Sequence, residues 1–465
     1  MNQPTAQPGA HPTRWRILGL LGVAQLMLIL DVTVVAIALP HIETDLGLTR
    51  EALTWTVSAY TLTFGGLMLL GGRISDLVGA KRVMLAGLLL FTAASLATGL
   101  ADSGAMLVGG RIAQGVGAAL LSPSALSLVV TLFDGDERNK ALGIWSALGG
   151  GGAALGVLLG GLLTAGPGWS WVFYVNVPIG LVIAGVLAVL VPNQRAWAAG
   201  RPRLDVLGAV LVTAATASLI YALIDAGERG WLTPFIGWLV LAAVVGYVLF
   251  VVWQRRARSP LMDVRLLVRR PVATGAFLIL MATALMIAVF FLGTFYFQQA
   301  QGYGALHTGL LFLPVAVATM LGANLTGRLI GRWGGRALAV GGLAVAAVGM
   351  AVPAVSLHPV AVVIGVSVAA SGTGALFVVA SAIALGQVAP QEAGIASGIV
   401  STFHEFGASL GAAIVSSVAA ASLTGTTLSG FAGGFTVAAV AAAVAVVIAA
   451  LMTPGRPRQE EPALS

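Results

Sequence analysis

The sequence has no cysteine, few charges and few histidines, and each shortage excludes a class of protein. With Cys 0 among 465 residues, disulfide bonds and thiolate metal sites are excluded. Charged residues make up 9% of the chain, whereas a soluble domain carries about 25%. The 5 histidines are scattered, so the clustered groups that a membrane-embedded enzyme needs are missing. We therefore expect a membrane protein that is not an enzyme and uses no metal or cofactor.

Long apolar runs take the place of the missing charges. Hydrophobic residues make up 58% of the chain, and its 61 glycines suit helices that pack closely in lipid. At about 1.5 Å rise per residue, one crossing needs roughly 20 apolar residues. The fold class is therefore an all-α polytopic membrane protein. Charges, proline and glycine divide it into fourteen predicted spans: 17–40, 52–71, 83–101, 105–132, 140–164, 171–192, 204–225, 233–254, 272–297, 306–327, 337–356, 360–387, 394–422 and 430–453.

The basic residues predict how these spans are oriented. If the N-terminus is inside, all 24 lysines and arginines except Arg50, Arg111 and Arg229 fall in inner segments. The positive-inside rule then places both termini in the cytoplasm, and we expect the first apolar run to remain as an anchor. The pI of about 10.3 comes from loops that face anionic membrane lipid, and no nucleic-acid partner is expected. The predicted parts are a tail (1–16), a six-helix bundle (17–192), two extra helices with basic linkers (193–271), a second six-helix bundle (272–453) and a tail (454–465).

The segment "GGRISDLVGAKR" links the second and third predicted spans. Its glycines, Gly72 and Gly79, permit a tight turn between antiparallel helices. Asp76 is predicted to form an ion network with the basic residues around it, Arg73, Lys81 and Arg82. In this position the segment resembles the signature of the major facilitator superfamily. A degraded copy, "GRLIGRWGGR", follows the tenth span, which fits the internal repeat of that superfamily. The resemblance implies that the loop acts in conformational switching.

Further motifs resemble the fourteen-span drug:proton antiporters within this superfamily. They are "LDVTVVAIALP" in the first span, "RIAQGVGAA" in the fourth, "GGGGAALGVLLGG" in the fifth and "WSWVFYVNVPIG" entering the sixth. In the fifth span, Gly152, Gly156 and Gly160 are spaced for close helix packing, and Gly161 follows them. The resemblance implies the major facilitator fold, with two six-helix bundles and two extra central helices.

The chain departs from these family patterns at three places. Ala36 stands where the first-span motif usually has asparagine, and Val157 stands where the fifth-span motif usually has proline. The missing proline removes a helix bend and weakens the inference of antiport. In the thirteenth span, His404 and Glu405 replace a pair that is often Arg-Gln in relatives.

Only Asp31, Arg111 and Glu405 lie clearly within predicted spans. A charge in hydrocarbon costs roughly 2.5–3.5 kcal/mol on insertion scales, so these residues are expected to serve a function. Asp31 and Arg111 have nearly equal predicted depths and are expected to meet, with Gln114 within reach. A carboxylate beside a cation and water can gain and lose a proton, so these three charged residues are the candidates for proton coupling. A static ion pair remains the alternative for Asp31 and Arg111.

Glu405 is predicted to lie near the midplane, as a second proton site or as the anion that attracts cationic drugs. A permanently neutral structural group is the alternative. His404 is expected to point about 100° away from Glu405, and Asp225, Glu228 and Arg229 are expected to be solvated at the outer rim. The predicted lining of a substrate cavity is Glu405, Tyr60, Phe64, Gln114 and Phe295.

The expected function is proton-driven export of lipophilic, often cationic compounds across the bacterial cytoplasmic membrane by alternating access. The expected partners are drug-like small molecules, protons and membrane lipids, and the protein is expected to be a monomer. The alternative is a dedicated exporter of one endogenous metabolite, such as an antibiotic that the host makes. A passive channel is disfavoured because it needs neither the antiporter-like motifs nor a titratable buried acid.

Overall fold

The structure, a computed structural model, describes residues 12–133, 158–191, 204–386, 393–423 and 428–453, together with residues 137, 140, 141, 144, 152, 155 and 156. This part of the chain is helical and contains no strand. Residues 158–165 are helical as well. The other helices are α1 (Pro12–Leu46), α2 (Arg50–Val78), α3 (Ala80–Gly99), α4 (Gly104–Leu132), α5 (Trp171–Tyr174), α6 (Asn176–Leu190), α7 (Val206–Arg229), α8 (Pro234–Arg256), α9 (Val264–Val268), α10 (Arg270–Phe295), a π-helical turn (Tyr296–Ala300), α11 (Ala305–Leu311), α12 (Leu313–Val355), α13 (Pro359–Gly386), α14 (Ala393–Val418), α15 (Ala420–Leu423) and α16 (Ser429–Met452).

Within the described residues, 12 helices are long and apolar enough to cross a membrane. One of them, Ala305–Val355, has 51 residues and would be about 75 Å long if straight, more than twice the hydrocarbon thickness. The chain reverses inside it at Gly334, whose φ of 80° is not helical. Gly322 and Gly342 accordingly approach neighbouring points on α13, at Ser371 and Gly372. Two spans are therefore present there, as the sequence predicts.

About half of the fifth predicted span, 140–164, lies outside the described residues. The all-α membrane architecture is confirmed, and the number fourteen stays a prediction. Every other predicted span coincides with a helix or half of α12.

Short polar residues start several helices, and glycine ends others, among them α2 and α7. The side chains of Thr49, Asp205, Thr233 and Asp263 each accept a hydrogen bond from a backbone N–H in the first helical turn. Gly79 separates α2 from α3 with a φ of 101°, a conformation that a side chain would strain. The prediction that Gly72 shares this turn is wrong, because α2 continues to Val78.

The helices form two groups joined along a seam. We call the end where α1 begins and α16 ends the terminal end, and the opposite end the far end. Helices α2 and α14 run antiparallel along the seam, and α7 packs against both of them. Helix α8 contacts α7 and has only 17% of its most apolar stretch buried. The two extra helices between the bundles, α7 and α8, therefore attach to the seam through α7, and α8 lies at the periphery.

At the far end the two groups also meet through α1. Gln298 in the π-helical turn donates to the carbonyl of Ile37 at 2.9 Å, and Gln299 donates to Glu43 at 2.6 Å. A side chain on Gly161 would crowd Ala305 and Leu306 at the start of α11. These contacts join the two groups at the far end.

Candidate functional site

Asp31 lies in a buried hydrogen-bonded network that joins α1, α3 and α4. Its carboxylate accepts from Nη1 of Arg111, and the two residues are 2% and 1% exposed. Nε2 of Gln114 donates to the other carboxylate oxygen at 3.1 Å and to Oγ of Ser95 at 2.8 Å. The expectation that Asp31 and Arg111 meet, with Gln114 beside them, is confirmed. A carboxylate this far from water needs such partners, because burying an unpaired charge is costly.

Arg111 has neutral partners in addition to Asp31. Its Nε donates to the carbonyl of Thr56 at 2.8 Å, and its Nη1 also donates to Oε1 of Gln114 at 3.0 Å. Its guanidinium carbon lies 4.3 Å from the centre of the Tyr60 ring, within the range of a cation–π interaction. If Asp31 takes up a proton, Arg111 therefore keeps two hydrogen-bond acceptors and an aromatic face.

The local sequence of α4 brings these groups together. Arg111 and Gln114 are three residues apart, so they lie on one face of the helix. A side chain on Gly115 would collide with Thr63 on α2, and one on Gly110 would collide with Thr98 on α3. Gly110 and the small residues of the adjoining "RIAQGVGAA" let both neighbouring helices approach α4 closely, and that approach buries the network.

Glu405 lies on the seam between α2 and α14 and is 7% exposed. Gly65 of α2 faces it so closely that a Cβ there would be 2.6 Å from the Cβ of Glu405. Nδ1 of His404 lies 3.1 Å from Oε1 of Glu405. The expectation that His404 points away is wrong. The 100° separation applies to the Cα–Cβ directions, and the long glutamate side chain reaches back to its neighbour.

Tyr60 connects the two acidic sites. Its ring is fully buried, it faces Arg111, and its hydroxyl donates to the carbonyl of Leu28 at 3.3 Å. Asp31 and Glu405 both lie close enough to interact electrostatically with its hydroxyl. A change of charge on either acid therefore changes the electrostatic potential at Tyr60.

Hydroxyl side chains form a line along the seam, and they were not predicted from the sequence. Oγ1 of Thr54 lies 2.5 Å from Oγ of Ser416, and Oγ1 of Thr61 lies 2.5 Å from Oγ of Ser409. Between them, Ser409 donates to the carbonyl of Ser58 at 3.2 Å. These side chains recur at helical spacing in both sequences, which places each set on one face of its helix. That spacing could have predicted the line. Such hydrogen bonds hold helices together where the hydrophobic effect does not.

Arg50 and Asp225 are buried, although the sequence placed Arg50 in an outer segment and predicted a solvated outer rim for Asp225. Arg50 donates to the carbonyls of Ser416 and Ile224 at 3.1 and 2.7 Å, and thereby joins α2, α14 and α7. Asp225 is 5% exposed and pairs with Arg229 at 3.1 Å. The solvated role predicted for Asp225 is wrong because α7 packs into the seam instead of facing water. No feature of the local sequence distinguishes these residues from ordinary loop charges.

The predicted ion network around Asp76 is absent from the described residues. Asp76 is exposed at the terminal end of α2, and no ion pair within 4.0 Å links it to Arg73, Lys81 or Arg82. Arg73 is near enough to act on it electrostatically. The continuation of α2 to Val78 spreads these side chains around the helix instead of gathering them in a turn.

The fifth-span glycines Gly152, Gly156 and Gly160 pack closely against α1. Side chains added to Gly152 and Gly160 would crowd Ile29 and Val34 of α1, and one on Gly156 would collide with Thr33. The close approach predicted for this motif is confirmed. Since Asp31 lies between these contact points on α1, the fifth span supports the helix that carries the acid.

The aromatic residues predicted to line a cavity lie in packed surroundings. Phe64 is buried 5.8 Å from the Tyr60 ring, and Phe295 is buried 5.0 Å from the Phe291 ring. Their contact with substrate remains a prediction.

Buried, partnered charges at the centre of a bundle of apolar helices are typical of membrane transporters. Residues 21–412 match the Major Facilitator Superfamily, and the chain belongs to this family. It covers 97% of a solved bacterial homologue of the human lysosomal transporter Spinster, in an inward-facing and occupied conformation. The TM-score is 0.67, over 96% of this chain and at 16% identity, which supports the fold alone.

Three relatives narrow the class to drug and antibiotic exporters. The puromycin resistance protein pur8 of Streptomyces alboniger is 37% identical, over 90% of this chain and 84% of its own length. The cephamycin export protein CmcT of Amycolatopsis lactamdurans is 35% identical, over 91% and 88%. The multidrug resistance protein Stp of Mycobacterium tuberculosis is 34% identical, over 87% and 76%. The resemblance to drug exporters seen in the sequence motifs is thus confirmed.

Proposed function

We propose that this protein exports lipophilic, often cationic compounds across the bacterial cytoplasmic membrane in exchange for protons. Both termini face the cytoplasm, and the protein works as a monomer without a cofactor. The observation that carries the proposal is the buried Asp31–Arg111 pair, which has its own set of neutral acceptors. The names of the relatives support the export of drugs and antibiotics, and the proton enters through the chemistry of Asp31.

The neutral partners of Arg111 favour a proton cycle over a static ion pair. Removing one member of a buried pair costs about 3–5 kcal/mol when the other charge is left uncompensated. Here Thr56, Gln114 and Tyr60 remain in contact with Arg111 when Asp31 is neutral. Protonation of Asp31 is therefore compatible with a folded bundle. The change of charge weakens the contact between α1 and α4, and a contact that weakens on protonation can bias alternating access.

Drug uptake into inside-out membrane vesicles with an imposed pH gradient tests the proton cycle. Wild-type vesicles should accumulate drug only while the gradient lasts, and an uncoupler should abolish the uptake. Accumulation that is insensitive to the uncoupler, with ATP absent, would refute proton coupling.

The second candidate is a dedicated exporter of one self-made antibiotic. The names of pur8 and CmcT, each tied to a single compound, favour it, whereas the name of Stp favours a broad range. Drug-susceptibility tests in an efflux-deficient host separate the two. Resistance to one structural class supports the dedicated exporter, and resistance to several unrelated lipophilic compounds supports the broad one.

A further inference from the structure

The contact between His404 and Glu405 is the feature that the proposed function leaves unused. Nδ1 of His404 lies 3.1 Å from Oε1 of Glu405, and the two side chains are 41% and 9% exposed. The carboxylate of Glu405 is therefore buried, whereas the side chain of His404 is partly exposed. The ring of His404 also lies 5.8 Å from that of Phe377 on α13. This open side distinguishes the pair from the closed network of Asp31.

The position of His404 on α14 shows which space it faces. Thr402, Glu405 and Ser409 face α2, whereas Gly407 and Gly411 lie against α10. A third face, with Phe406, packs toward α7. At 100° per residue, His404 lies between the α2 and α10 faces and opposite the α7 side. Its exposed edge is therefore directed to the space between the two helix groups, where a substrate would pass.

The other charged groups on the surrounding helices lie away from this point. The elements packed against α14 are α2, α7, α10, α13 and α16, together with the short α15. Tyr60 is the titratable group of α2 nearest to Glu405, and through it Glu405 faces Asp31 and Arg111, which are paired with each other. Of the remaining titratable residues of these helices, Tyr221 of α7 lies against Trp55. The others lie toward helix ends: Arg50, Glu51, Arg73 and Asp76 on α2, Asp225, Glu228 and Arg229 on α7, and Arg270 on α10. Helices α13 and α16 carry no charged residue.

We propose that His404 is a specificity-determining residue that competes with cationic substrates for Glu405. Protonated His404 donates Nδ1–H to the carboxylate and occupies it as a built-in cation. When His404 releases its proton to water in the open space, the carboxylate has no formal counter-charge from α14. A monovalent lipophilic cation then supplies that charge. Neutral substrates make no use of the carboxylate, so the state of His404 leaves their binding unchanged.

Histidine is suited to this role because its charge changes between about pH 5 and 8. A lysine or arginine at this position would occupy Glu405 at every physiological pH. A neutral residue would leave Glu405 open at every pH. The proposal rests on the proposed function of Glu405 as the cation site, and its test is arranged so that the two ideas fail separately.

The experiment measures the affinity of purified full-length protein for tetraphenylphosphonium, a lipophilic cation, and for neutral triphenylphosphine oxide. At pH 5.5, His404→Gln should bind the cation roughly tenfold more tightly than wild type, a common size for coupling between competing ligands. At pH 8.0 these two proteins should bind it equally, and His404→Arg should bind it roughly tenfold more weakly. The affinity for triphenylphosphine oxide should be the same in all three proteins.

A double-mutant cycle supplies the control. In a Glu405→Gln background, neither change at His404 should alter the affinity for tetraphenylphosphonium. If Glu405→Gln alone binds the cation as tightly as wild type, Glu405 is not the cation site. If Glu405→Gln weakens binding but His404→Gln matches wild type at pH 5.5, the role of His404 is overturned and the cation site stands. Equal changes in the affinity for triphenylphosphine oxide would also overturn the role of His404. Should His404→Arg fail to fold, the comparison of His404→Gln with wild type decides the question alone.

Discussion

The two buried acids of this transporter differ in how completely their neighbours satisfy them. Asp31 has both carboxylate oxygens hydrogen-bonded, to Arg111 and Gln114, within one helix group. Glu405 lies on the seam between the groups and has the half-open His404 as its partner. A closed site with a permanent counter-ion suits the exchange of a small ion such as a proton. An open site with a weak counter-ion suits a ligand that brings its own charge.

The shared neighbour Tyr60 suggests how the two sites communicate. Both carboxylates act electrostatically on it, although they lie on helices from different groups. A proton at Asp31 and a cation at Glu405 therefore alter the same local field, which favours exchange of one for the other. If Asp31 carries the proton and Glu405 binds the cation, substitutions at the two acids should affect transport and binding differently.

The largest expected effect belongs to Asp31→Asn. Gradient-driven uptake of cationic and neutral drugs alike should fall by roughly a hundredfold or more, as when a proton-transfer group is removed. The amide keeps the size of the side chain but cannot cycle a proton. Uptake into vesicles with an imposed pH gradient measures this, and binding of tetraphenylphosphonium to the purified variant is the control. Binding should persist, since Glu405 is untouched. Unchanged uptake would return Asp31 and Arg111 to a static structural pair.

The next effect belongs to Glu405→Gln, which should weaken cation binding by about tenfold. In wild type the affinity for a monovalent cation should rise with pH and then level off, because protonated His404 competes for the carboxylate at low pH. The variant should show a flatter profile between about pH 5.5 and 8.5. Neutral drugs should still be taken up in response to the gradient, because Asp31 remains. Equal losses for neutral and cationic drugs would make Glu405 a structural residue.

The difference between the two sites also explains what the sequence could predict. Asp31 and Arg111 are rare charges in apolar runs, and the depth of each follows from counting residues at a fixed rise per residue. Their meeting was therefore predictable, and so was close helix packing at Gly156, although the sequence did not show that α1 is the partner helix. In both cases a regular helix converts sequence position directly into height in the membrane.

The seam was not predictable in the same way, because sequence spacing does not say which helices become neighbours. Arg50 and Asp225 look like ordinary loop charges, and they are buried only because α7 packs between α2 and α14. The His404–Glu405 contact depends on side-chain rotamers, which the helical angle does not fix. The absent network at Asp76 reflects a helix that extends farther than its apolar run.

A smaller and uniform effect is expected from Asp76→Asn. The residue is exposed at the terminal end of α2, away from both buried acids, so it cannot discriminate between substrates. The change should slow transport of every drug by a similar factor, about threefold, which corresponds to under 1 kcal/mol on the barrier. Initial rates for a cationic and a neutral drug, measured in the same vesicles, test this. A variant that loses one drug and keeps another at full rate would assign the loop to recognition.

The smallest effect is expected from Tyr60→Phe, which asks whether the shared neighbour acts through its ring or its hydroxyl. Phenylalanine retains the aromatic face 4.3 Å from the Arg111 guanidinium and loses only the 3.3 Å bond to the carbonyl of Leu28. That bond is long, and its net contribution is at the lower end of the range for hydrogen bonds, about 0.5 kcal/mol or less. Transport rates and the pH profile of cation binding should therefore change by less than about twofold. Tyr60→Leu, which removes the face as well, is the matched comparison and should impair transport more. If Tyr60→Phe instead abolishes uptake while cation binding persists, the hydroxyl itself carries protons between the two acids, and their separation into two independent sites fails.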